Sequence, residues 1–179
     1  MKKLLLETNI SALNEGLELL SLLTHSHYIK GYKPAFNSTI GAHFRHVLEH
    51  YRCFMGQYES GEICYDNRQR DQRLESDIVY AHTTIENLMV SLRQLTKHDL
   101  NRSCKLKDQQ LTDTVKSTIY RELLFLQSHT VHHFAIIAAM ARSLGVQPAD
   151  DFGVAIATRS YEHSVENESM AATVAVERD

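Results

Sequence analysis

Proline and glycine are scarce, two and seven in 179 residues. Few helix breakers leave room for long uninterrupted helices. Cysteine is also scarce, and its three copies, Cys53, Cys64 and Cys104, are odd in number and form no Cys-x-x-Cys pair. That excludes a disulfide scaffold and a thiolate zinc site, and points to a reducing cytoplasm. No excess of basic charge exists: the net charge is -3. A nucleic-acid partner is therefore not expected. No apolar run approaches the ~18 residues of a membrane span. The opening Met1-Lys2-Lys3-Leu4-Leu5-Leu6 imitates an export signal, but Glu7 ends the apolar run after three leucines. What is present is ordinary for one globular domain, 43% hydrophobic and 23% charged.

Against that plain background histidine stands out. Six of eleven histidines fall in two short segments, 40–50 and 127–134. Residues three and four apart share a helix face, so His43, His46 and His50 line one side of the first segment. His129 and His133 stack one turn apart in the second. Imidazole is the commonest protein ligand for transition metals. Two facing helices could bring three such rings around one ion, with a position left for water or substrate. A single histidine is more often a packed or exposed bystander, so the cluster carries the argument. A zincin helix needs His-Glu-x-x-His, and Thr130 follows His129 here. A di-iron carboxylate bundle needs Glu-x-x-His, which the chain lacks. A histidine-dominated mononuclear site is the reading that survives.

Apolar periodicity predicts four long helices. The first runs from Thr8 or Asn9 to Tyr28, with Ile10, Leu13, Leu17 and Leu20 on one stripe. Gly31 and Pro34 mark the loop after it. Ser38 or Thr39 caps the second, which ends near Ser60 before Gly61. The third spans Ser76 to Lys97, and the fourth runs from Thr114 to Gly145 with Pro148 beyond. Polar connections, Glu62 to Glu75 and His98 to Asp113, separate them, and no strand period is evident. The expected fold is all-α, a four-helix bundle with long connections. Residues 1–149 should form the bundle and 150–179 a partly irregular C-terminal extension, loose over Glu166 to Asp179.

Three arginines lie among acids in Tyr65-Asp66-Asn67-Arg68-Gln69-Arg70-Asp71-Gln72-Arg73, either as a self-neutralising surface loop or as an anion site beside a metal. Glu122, seven residues before His129, shares its helix face and is a candidate base or orienting group. Tyr51 and Tyr58 read as core edge.

The segments 38–50, 65–71, 121–134 and 151–155 together resemble the DinB/YfiT-like superfamily of metalloenzymes, in a little-characterised bacterial branch. The resemblance covers nearly all of residues 35 to 161. It implies a four-helix bundle and one divalent metal held by His46, His129 and His133. Zinc or nickel stands ahead of iron or manganese. His43, His50 and His132 would then be neighbours of the ligands. In place of the branch's usual Pro-Ser-Thr after Gly153-Val154-Ala155, this chain has Ile156-Ala157-Thr158. The expected activity is metal-dependent thiol S-transfer or hydrolysis on a small molecule, the partner being a low-molecular-weight thiol. The alternative is a non-catalytic metal-binding or homodimeric interaction module.

Overall fold

The computed structural model describes residues 2–31, 37–110, 112–162 and 164. Pro34 and the tail 166–179 lie outside them. The chain is mostly helical. Helix α1 spans Lys2–Leu22, α2 His25–Ile29, α3 Ile40–Gln57, α4 Arg73–Ser76, α5 Ile78–Arg93, α6 Lys97–Asn101 and α7 Ile119–Ser143. Three short strands, β1 (Glu62–Ile63), β2 (Ser103–Leu106) and β3 (Val115–Thr118), form one sheet in that order. The first pair is parallel, with Glu62 opposite Lys105. The second is antiparallel, with Cys104 opposite Ser117.

The sheet corrects the purely helical expectation. β2 lies in the predicted polar connection, with only Cys104 of its four residues buried. β3 lies in what reads as the start of the fourth helix, and it has no buried residue. Neither strand displays an apolar alternation long enough to be seen. Their pairing is decided by the ladder itself.

Side-chain caps set the helix starts. Thr39 Oγ1 accepts the Ala42 amide at 2.9 Å to open α3. Asp77 does the same for Tyr80 at the head of α5, and Thr118 for Arg121 at the head of α7. These caps trim the predicted third and fourth helices at their N-termini. The first helix differs more: it begins at Lys2, so the leucines that imitate an export signal are helical, and it stops at Leu22. Thr24 then caps the separate α2 in a reciprocal box with His27.

The long helices contact one another in a closed ring, α1 against α5 and α7, and α3 against α5 and α7. Their shared interior holds Leu13, Phe44, Leu48, Phe54, Ile85, Leu126, Phe134 and Ile137. By length and composition α7 could cross a membrane. Here it lines this core with Leu123, Leu126, Phe134 and Ile137. Tyr51 is fully buried rather than at the edge. After α7, Phe152 folds back and stacks on Phe134 at 4.8 Å. Arg159 pairs with Glu15 of α1, which fastens residues 150–162 to the helices. All three cysteines are buried free thiols.

Candidate metal centre

α3 and α7 pack against each other, and each carries a histidine face at that contact. His46 Nε2 and His129 Nε2 lie 3.1 Å apart. The rings of His46, His129 and His133 are mutually close, with centroids 4.5 to 4.9 Å apart. One ligand nitrogen from each falls within 4.8 Å of the others. Two imidazole nitrogens bound at ~2.0–2.1 Å to one tetrahedral ion are about 3.3 Å apart. The His46–His129 separation is already close to that value, and the donor set suits a borderline-soft divalent ion.

The neighbouring histidines have other engagements. His50 Nδ1 donates to the His46 carbonyl at 2.7 Å, and Arg68 Nη1 stands 3.3 Å from His50 Nε2. Both of its nitrogens are thus occupied. His43 Nδ1 meets His133 Nδ1 at 3.0 Å, which leaves His133 Nε2 to face the centre. His132 is exposed on the outer side of α7, with its ring 5.2 Å from that of His133. His46, rather than His43 or His50, is therefore the α3 imidazole that joins the α7 pair.

Electrostatics keep these rings neutral. Burial, then the neighbouring His50 and His133, lower the His46 pKa to about 3. His129 is likewise lowered to about 3, by burial and then His50. His133 falls to about 4, by burial and then His43, and His50 to about 4, mainly by burial. A neutral imidazole has the lone pair that a metal needs, so protons compete weakly for this site at physiological pH.

Glu122 is placed differently from the histidines. Its carboxylate is fully buried and accepts from Ser117 Oγ at 2.5 Å, Arg121 Nη1 at 3.0 Å and Tyr65 Oη at 3.1 Å. Its link to the histidines runs through Tyr65, whose ring lies 5.5 Å from that of His50. Burial and the Glu122 carboxylate raise the Tyr65 pKa, so its hydroxyl keeps its proton. Phe125 stacks on His129 at 5.4 Å and gives the site an apolar wall.

The arginine run divides into separate contacts. Arg52 of α3 binds Asp71 at 3.0 Å, and Arg73 pairs with Asp77 while lying 4.1 Å over the Tyr80 ring. Arg68 turns inward to His50 and the Tyr65 carbonyl. The sequence marks this loop through its arginines, but not which of them turns in.

No family model and no curated protein matches the chain. Among solved structures, the chain is similar to the DinB-like protein YjoA of Bacillus subtilis. The two are 26% identical, the match covers 79% of this chain and 92% of that one, and the TM-score is 0.61. Fold likeness of that extent, together with the three imidazoles converging from α3 and α7, relates the chain to the DinB/YfiT-like superfamily.

Proposed function

We propose that the four long helices form a DinB-type bundle whose His46, His129 and His133 hold one divalent ion, zinc or nickel ahead of iron or manganese. We further propose that the protein is a cytoplasmic metal-dependent enzyme acting on a low-molecular-weight thiol. The observation that carries this is the convergence of three neutral imidazoles from two helices. An ion so bound would supply Lewis acidity, lowering the pKa of a thiol or water that reaches it. The surrounding residues favour transfer over hydrolysis. Water attack calls for a general base near the centre, and the carboxylate that the sequence offers for that role, Glu122, is engaged by Ser117, Arg121 and Tyr65. Glu122 is accordingly assigned a positioning role, holding Tyr65 against His50. A thiol needs no such base, because its own pKa of ~8.5 is within reach of a modest depression.

The test begins with elemental analysis of protein purified without added metal. About one equivalent of divalent ion is expected. His46→Ala, His129→Ala and His133→Ala should each lose it, while His25→Ala and His98→Ala should retain it. Cellular thiols offered with an electrophilic acceptor should then show turnover that disappears in His129→Ala. Thiol-independent hydrolysis of esters or amides would move the assignment to hydrolase. Bound metal without turnover in either assay would favour the non-catalytic or homodimeric module. A wild type that neither carries nor takes up metal refutes the reading at its root.

A further inference from the structure

An imidazole that binds a metal through one nitrogen is usually oriented through the other, by a hydrogen bond to a neighbouring group. His133 follows this pattern, with its Nδ1 3.0 Å from His43 Nδ1. His129 does not. Its one hydrogen-bonding contact among the described residues is that of Nε2 with His46, on the side that faces the centre. What the protein offers the rest of that ring is packing.

Four rings lie against His129. Those of His46, His50 and His133 are inclined to it by 50° to 72°. The ring of Phe125 is nearly parallel, 24° from the imidazole plane with centroids 5.4 Å apart. The two residues are four apart on α7, so they stand one turn apart on the same face. Offset stacking at this spacing is favourable for aromatic pairs. A flat neighbour also covers one face of the imidazole, so turning His129 about its Cβ–Cγ bond would drive a ring edge into Phe125.

Phe125 is itself braced by two residues. The Tyr65 ring lies 5.2 Å from it, and the Arg121 guanidinium lies 5.6 Å over its centroid. Both are tied to the buried Glu122 carboxylate, Tyr65 through Oη at 3.1 Å and Arg121 through Nη1 at 3.0 Å. Ser117 of β3 donates to the same carboxylate. The sheet is thus connected to the histidine centre through Glu122, its two partners and Phe125.

We propose that Phe125 is a positioning residue, fixing the His129 ring plane so that Nε2 points towards His46, and that Glu122 acts on the centre through it. The purpose of this hold rests on the proposed metal-dependent function, whereas the hold itself exists without metal.

Relaxation of labelled histidine ring carbons in the metal-free full chain measures the hold directly. In the wild type the His129 ring should be as ordered as that of His133. Phe125→Leu should loosen His129 and leave His133, which His43 holds, unchanged. Phe125→Tyr keeps a ring to stack and should retain the order, while Glu122→Gln, which weakens the bracing of Phe125, should lose part of it. Cobalt then reads the consequence for ligation. Phe125→Leu should weaken cobalt affinity about 10-fold and alter the cobalt absorption bands, and Phe125→Tyr should do neither. A His129 ring unchanged by Phe125→Leu, or one loosened together with His133, overturns the proposal, the latter because it signals a general loss of packing. Equal cobalt affinity in wild type and Phe125→Leu overturns the part that concerns ligation. A wild type that shows the His129-specific loosening on Phe125→Leu but takes up no cobalt upholds the hold and defeats the metal reading instead.

Discussion

His43 Nδ1 and His133 Nδ1 lie 3.0 Å apart, so one of them must be the donor. If His133 gives its Nε2 lone pair to a metal, its proton resides on Nδ1 and His43 must accept it. Metal binding thus selects one tautomer pair, with His43 orienting a ligand ring. In that pair the His43 Nε2–H is buried without a partner, a cost the ligand bond must offset. The expected outcome is that His43→Ala weakens metal affinity about 10- to 100-fold without abolishing binding. His133→Ala should abolish it. Competition against a chelator of known affinity distinguishes the two, and equal losses would remove the distinction between ligand and neighbour.

Acid should destabilise the metal-free protein in a defined window. Unfolded imidazoles take up protons below about pH 6.5, whereas His46 and His129 in the fold resist until about 3, and His50 and His133 until about 4. Between those limits the unfolded state holds more protons, so stability rises with pH there and levels off above it. Denaturant midpoints of metal-free protein at pH 5.0, 5.5, 6.0 and 7.5 should climb and then flatten. His50→Gln should lessen the slope. A midpoint independent of pH across 5.0 to 6.5 would contradict the burial of these rings.

Gly41 occupies the first turn of α3, where its backbone passes against α4. A Cβ there would collide with the Glu75 carbonyl oxygen and crowd the Tyr28 ring. Backbone cannot yield as a flexible side chain does, so Gly41→Ala should destabilise by ~1–3 kcal/mol. The shift should propagate to His43 and His46 on the same helix and lower metal content. Thermal unfolding and elemental analysis of one sample check both. A variant as stable as wild type would mean that α4 docks less tightly on α3.

The sequence reveals the helices, and the histidine faces on them, because both repeat with the helix period. Thr39 caps the start of α3 as read, but the α-helix ends at Gln57, short of the expected Ser60, and a 3-10 turn, Tyr58–Ser60, carries the chain to Gly61 in the left-handed conformation, φ 76°. The sheet is hidden because β2 and β3 gain their order from each other, not from local alternation. Helical spacing alone does not separate His46 from His43 and His50; the family resemblance points to His46, and the three-dimensional arrangement gives the physical reason. All three share one face, and what separates them is which nitrogens His133, the His46 carbonyl and Arg68 already occupy. The position of Glu122 is hidden for a similar reason. Helical spacing puts it on the face of His129, but Ser117 of β3, a strand the periodicity does not show, helps to hold its carboxylate.

The last prediction concerns the polar knot beneath the site. Asn9 of α1 is completely buried, and its Nδ2 donates to the carbonyls of Leu5 and Leu123 at 2.9 and 3.2 Å. Its Oδ1 accepts from Tyr51 Oη of α3 at 2.8 Å, and Thr130 Oγ1 of α7 stands 3.3 Å from the same hydroxyl. Three helices are joined through one amide and one phenol, and on α7 the network includes Thr130, the residue next to His129. Tyr51→Phe keeps the ring in the core but leaves Asn9 Oδ1 without its donor. Stranding a buried acceptor costs ~1–3 kcal/mol, so the variant should fold with reduced stability. Asn9→Leu loses more bonds, including both to main-chain carbonyls, and should be the worse of the two. The double variant Asn9→Leu, Tyr51→Phe should fall short of the summed single losses, because the Asn9–Tyr51 bond is removed only once. Denaturant unfolding of all four proteins measures that coupling. Strict additivity would show that the two residues stabilise the helices independently.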